Sequence, residues 1–144
     1  MADLRMERLL PATPDAVFQR VTRTEHLLGW WGPPGVTLGA HDLDFTRLGP
    51  WFVTMIDPMQ RETEVTGEVL RIEPPHLVEF TLRFDSPHGR PVIDSTVRFE
   101  IAADPNGGTR FTLIQTGLSS EQLAEASSKG WVATLARLEA LFQT

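Results

Sequence analysis

The chain has 144 residues, 41% of them hydrophobic, which is enough for one domain with a real core. It has no cysteine, which excludes disulfides and thiolate metal sites, and its formal net charge of −6 disfavours nucleic acid and anionic membrane surfaces as partners. The opening run Leu4 to Leu9 is charged and alternating rather than apolar, so no signal peptide is expected; the class is a soluble, cytoplasmic domain over residues 1–144. In chain order, Leu4 to Leu10 alternates as a first strand. Thr13-Pro14-Asp15 then starts a helix, with Thr13 as cap and Pro14 at the first helical position. Thr24 is placed to cap a short second helix over Glu25 to Leu28, closed by Gly29. Trp30-Trp31 runs directly into Gly32-Pro33-Pro34-Gly35, a loop dense in chain breakers. Two adjacent large aromatics cannot both face one core, so at least one is expected at a surface or a cavity edge.

From Val36 the period changes to two. Val36, Leu38 and Ala40 alternate with polar neighbours, and the change of phase at Leu43 and Phe45 suggests a bulge. Further strands follow over Trp51 to Ile56, Glu64 to Ile72 and Leu77 to Phe84, and around Val97 to Ile101 and Phe111 to Gln115. Leu48-Gly49-Pro50, Asp57-Pro58, Glu73-Pro74-Pro75-His76, Ser86 to Pro91 and Asp104 to Gly108 punctuate them. The final stretch, Ser119 to Thr144, is helical: Ser119 and Gln122 spell a capping box, flanked by a Leu118–Leu123 staple. Leu123, Ser127, Trp131, Leu135, Leu138 and Phe142 recur every three or four residues along one face, leaving Lys129, Arg137 and Glu139 to the wet side. Such a helix is roughly 35 Å long, and it is too charged to span a membrane. Gly130 interrupts it at a cost of about 1 kcal/mol against alanine, either for close packing or to leave room beside the Trp131 indole. The order is one strand, two short helices, six strands and one long helix. That order implies an α+β fold in which an antiparallel sheet of about seven strands is covered by the terminal helix. A strongly twisted sheet on one helix can leave a gap between them, with the double-tryptophan loop at one end.

The run Pro14-Asp15-Ala16-Val17-Phe18, the pair Trp30-Trp31, Gly67-Glu68-Val69, Ile72-Glu73-Pro74, Leu77-Val78-Glu79-Phe80, Thr109 to Leu113, Gly117-Leu118 and Gly130-Trp131 resemble, in order and spacing, the SRPBCC superfamily. Within it the chain is similar to the bacterial domains named for the activator of heat-shock protein 90 ATPase. The resemblance implies a helix-grip fold: a curved antiparallel sheet wrapped on the C-terminal helix around a hydrophobic cavity, as in START lipid-transfer domains and birch-pollen-type allergens. One turn departs from the pattern, since Arg47-Leu48-Gly49-Pro50 has proline where relatives often carry a second glycine.

Residues that carry chemistry are few. His26, His41, His76 and His88 show no metal-ligand spacing, so no metal and no cofactor are expected. Asp42 and Asp44 share a strand face, which suits a solvated edge better than acid–base work. Ser127 and Ser128 have no histidine placed by sequence to activate them. No catalytic residue is assigned. The surplus is apolar: Trp31, Met55, Phe80, Leu82, Phe99, Phe111, Leu113 and Trp131 are candidates for a cavity wall, joined by Trp30 and Leu135. Arg47 and Gln115 are the candidate polar contacts; alternation puts Gln115 on the side of Phe111 and Leu113, as a satisfied core amide or an orienting contact. The function expected is binding, transport or sensing of a small hydrophobic or aromatic molecule. A chaperone-partner domain and a cavity enzyme such as a cyclase or hydrolase are the alternatives. The expected partners are a small hydrophobic ligand, a chaperone and a second copy in a homodimer, with no nucleic acid and no stable membrane insertion.

Overall fold

The computed structural model describes residues 2–85 and 93–142. The chain runs β1 (Ala2–Leu10), α1 (Pro14–Thr22), α2 (Thr24–Leu27), β2 (Thr37–Asp42), β3 (Gly49–Ile56), β4 (Glu62–Glu73), β5 (Leu77–Asp85), β6 (Ile93–Ala103), β7 (Thr109–Leu118) and α3 (Glu121–Ala140). The strands form one antiparallel sheet in the order β1-β7-β6-β5-β4-β3-β2. β2 to β7 are therefore a meander, and β1 closes against β7. This is the α+β architecture that the alternating strands and terminal stripe imply, with both short helices between β1 and β2. The expected loop at Ser86 to Pro91, and His88 within it, lie outside the described residues.

Local chemistry explains the boundaries, and moves several of them. At α1 the Thr13 hydroxyl accepts from the Ala16 N–H at 3.2 Å and Pro14 stands at the first turn, as expected. Thr24 is not the cap of α2. It lies inside the helix, and its hydroxyl donates to the Leu43 carbonyl at 2.7 Å, tying α2 to the segment after β2. The cap of α3 is Ser120 rather than Ser119: β7 extends through Leu118, and the Ser120 oxygen takes the Leu123 N–H at 3.1 Å. The staple shifts with it, so that Leu118 packs with Ala124 instead of Leu123. The bulge falls earlier than Leu43, between Leu38 and His41 on β2. Leu43 and Phe45 are not strand residues, yet both are fully buried.

One large apolar cluster fills the concave face of the sheet. At its centre Phe45 stacks on Phe80, with ring centroids 4.3 Å apart and an interplanar angle of 23°. α1 lies against β6 and β7 and buries Val17 and Val21 there. α3 rests on β1 and β7, burying Leu135 and Leu138 in its C-terminal half. No helix among the described residues is long and apolar enough to cross a membrane.

Candidate ligand-binding cavity

Where the N-terminal half of α3 passes over the sheet, side chains do not meet. A cavity of about 410 Å³ remains between them. The sheet contributes Met55, Thr63, Leu82, Phe84, Ile93 and Gln115 to its floor, one or two residues from each of β3 to β7. Each faces inward because alternation along a strand sends every second side chain to the concave face. The roof is Leu123, Ala126, Ser127, Gly130, Trp131 and Thr134, the inward stripe of α3. Trp31, Gly32, Pro33 and Val36 form one side. At Gly130 an added Cβ would meet nothing within 4 Å, so the missing side chain is open space and not a close contact.

The two indoles that bound the space are held from behind. Trp131 Nε1 donates to Gln115 Oε1 at 3.0 Å, Gln115 Nε2 donates to Ser95 Oγ at 2.8 Å, and Ser95 Oγ donates to the Leu82 carbonyl at 3.3 Å. This chain links α3 to three strands and leaves no buried partner unmatched, as a low-dielectric interior requires. Gln115 is thus a satisfied core amide and also part of the cavity wall. Trp31 stands edge-on to Trp131, with centroids 6.0 Å apart at 86°, and edge-on to Phe45 and Trp51. Its loop is clamped by Arg137, which is half-buried instead of lying on the wet side. Arg137 Nη1 donates to the carbonyls of Trp31 (3.2 Å) and Gly32 (2.8 Å), and Nη2 to that of Gly29 (3.2 Å).

Asp57 and Arg61, in the β3–β4 turn, also line the cavity. Asp57 Oδ1 accepts from the backbone N–H groups of Met59 and Arg61, both at 2.9 Å, and Oδ2 accepts from Arg61 Nε at 2.7 Å. The Arg61 backbone N–H, first, holds the Asp57 carboxyl below its ordinary value; partial burial opposes this, and the guanidinium and the Met59 N–H add to it.

Of the residues singled out from sequence, Trp31, Met55, Leu82, Gln115 and Trp131 are brought together around this space. Trp30, Phe80, Phe99, Phe111, Leu113 and Leu135 are not. They are fully or almost fully buried in the solid core, because α1 and the C-terminal half of α3 fill the part of the concave face that they occupy. Trp30 also turns away from the cavity to donate from Nε1 to the Arg20 carbonyl at 2.9 Å, so both indoles of the pair are buried and only Trp31 edges the cavity. Arg47 is exposed and ion-paired with Asp42 at 2.6 Å, away from the site. Asp44 accepts from the N–H and hydroxyl of Thr46, a local turn. The sequence reading missed Asp57 and Arg61. Their signal is the turn Asp57-Pro58-Met59-Gln60-Arg61, in which an aspartate bonds its own downstream backbone.

A model of the family described as activator of Hsp90 ATPase homolog 1-like protein (AHSA1) matches residues 11–143. The chain belongs to that family. This AHSA1 chain is similar to the AHSA1 protein from Silicibacter pomeroyi, at 37% identity over 96% of both chains and a TM-score of 0.88. A protein from Arthrobacter aurescens shares 26% identity over 97% of this chain and 85% of its own, at a TM-score of 0.74. A protein from Chromobacterium violaceum has the same fold at 23% identity, with 99% and 97% of the chains covered and a TM-score of 0.84. No curated protein matches this AHSA1 chain.

Proposed function

We propose that the protein binds a small apolar or aromatic molecule in the cavity beneath α3. The observation that carries this reading is the open space at Gly130. A solid core would place a side chain there, both to fill the void and to regain the roughly 1 kcal/mol that glycine forfeits in a helix. The volume lies within the range of about 300–1,000 Å³ typical of small-molecule sites. Its lining is aromatic and aliphatic, with a few placed polar atoms, as such sites are. Trp31, Met55, Leu82 and Trp131 contact the ligand in this reading, and Gln115 orients it.

The family description supports a second reading, in which the domain activates the ATPase of a chaperone. Among the described residues, the large exposed apolar side chains are Leu9, Leu28, Leu48, Met59, Leu70 and Val132, spread over different strands, turns and α3. Scattered single residues of this kind are ordinary surface. A cavity enzyme is a third reading. Among the described residues, the titratable pair within hydrogen-bond reach at the cavity is Asp57–Arg61, and an acid–base group needs a pKa near neutrality, whereas Asp57 is shifted the other way.

The test uses a neutral fluorescent probe, N-phenyl-1-naphthylamine. The folded protein should bind one equivalent, Gly130→Leu should abolish binding while remaining folded, and Lys129→Ala, on the exposed side of α3, should change nothing. Native mass spectrometry of the purified protein should detect a co-purified small molecule. A probe that fails to bind, or that binds Gly130→Leu equally well, overturns the cavity reading and leaves the chaperone reading ahead.

A further inference from the structure

Among the described residues the cavity has one charged donor on its wall, Arg61, and it is held in place with part of its donor set unmatched. Asp57 and Arg61 close the β3–β4 hairpin: the Asp57 N–H donates to the Arg61 carbonyl at 3.0 Å, one step beyond the Ile56–Glu62 pair. Continuing the alternation, Arg61 falls on the same concave face as Thr63 and Val65, whereas Glu62 and Glu64 fall on the other. Asp57 Oδ1 is occupied by two backbone N–H groups and Oδ2 by Arg61 Nε. The carboxylate therefore grips the guanidinium by its inner nitrogen. Among the described residues, neither Nη of Arg61 has a hydrogen-bond partner. Arg61, on the cavity wall, thus keeps a planar fork of N–H donors, with Thr63 two residues along the same face.

We infer that the ligand is an amphipathic carboxylate: its apolar body lies between Trp31, Leu82 and Trp131, and its carboxylate pairs with the Nη fork of Arg61. This rests on the proposed binding function and goes further by naming the ligand's polar group. A fork of parallel N–H donors matches the two oxygens of a carboxylate, and such a charge-assisted pair is stronger than a neutral hydrogen bond. Asp57 offsets part of the guanidinium's charge, but its two oxygens are turned to Nε and to backbone N–H groups, so the Nη donors remain to make directed hydrogen bonds to a carboxylate. The net charge of −6 opposes anions at long range, but salt screens that field over about 10 Å, and contact chemistry decides at the site.

The experiment displaces N-phenyl-1-naphthylamine from the full chain with 2-naphthoate and, separately, with its neutral isostere 2-naphthamide. In the unaltered protein naphthoate should displace the probe at about tenfold lower concentration than the amide, as befits a charge-assisted pair on a partly exposed arginine. Arg61→Met should remove that preference, weakening naphthoate about tenfold more than it weakens the amide or the probe. Arg61→Lys should restore part of it. If probe binds but acid and amide compete equally, or the preference survives Arg61→Met, the carboxylate inference is overturned and the cavity reading stands. If the probe does not bind at all, both fall together.

Discussion

The two halves of α3 use one amphipathic stripe for opposite purposes. In the C-terminal half, Leu135 and Leu138 are fully buried in the closed end of the helix–sheet layer. In the N-terminal half, Leu123, Ser127 and Gly130 face the cavity, and Trp131 stands at the boundary between the two. The apolar period continues across both halves, so periodicity alone cannot tell a face that is covered from one that overlooks a void. What differs is the size of the residues. Two leucines fill one end; serine and glycine leave the other open. A cavity can thus be cut from a core by shortening side chains, with no change in the pattern that specifies the fold.

The sharpest way to break the contrast is to truncate each half in turn. Leu135→Ala should lower stability by about 2–5 kcal/mol, through lost burial and the cavity left behind. Leu123→Ala, at the hollow end where one side is already unpacked, should cost less than about 1.5 kcal/mol. Urea midpoints for the two variants measure the difference, and equal shifts would mean that both halves are packed alike. An intermediate effect is expected at the boundary. Gln115→Leu strands the Trp131 indole N–H, which should cost about 1–3 kcal/mol and loosen the wall, so that the probe binds more weakly. Unchanged stability and probe affinity would show that the amide does not hold the indole.

The smallest effect lies at the Asp57–Arg61 turn. The folded-state pKa of Asp57 is lowered from about 3.8, so its contribution is fully present above that value and is lost as pH falls through the folded one. Asp57→Asn should therefore be slightly less stable than the unaltered protein at pH 7, and the gap should narrow steadily as pH falls below about 3.8. A gap of the same size at pH 7 and well below 3.8 would show that the charge is not its source.

Much of the fold was legible because it rests on periods. Alternation from Trp51 to Ile56 or Leu77 to Phe84 has one reading in a sheet that is buried on one side, and the terminal stripe requires a partner surface. Boundaries were less legible where two residues offered the same chemistry. Ser119 and Ser120 can both cap a helix, and what decides between them is how far β7 runs. The cavity was only partly legible. Phe99, Phe111 and Leu113 have the same character as Met55 and Leu82; α1 comes to rest over β6 and β7, and that placement depends on tertiary packing. Arg137 read as a solvated charge because its partners are backbone carbonyls more than a hundred residues away, which no local pattern encodes. Arg47 read as a candidate contact because sequence order does not reveal that Asp42 reaches it first.

The aromatic ladder at the cavity edge has an optical consequence. All four tryptophans of the chain meet through Trp31, which lies 6.1 Å from Trp30, 5.6 Å from Trp51 and 6.0 Å from Trp131. With no tyrosine present, near-ultraviolet absorption belongs almost entirely to this one group of indoles. At such separations excitation passes readily between the rings, and their fixed, asymmetric packing gives the near-ultraviolet circular dichroism a signal that depends on the angles between them. Since Trp31 and Trp131 both border the cavity, whatever enters it perturbs the chromophore of the whole molecule. A ligand bound there would report its own presence in that spectrum, without a label.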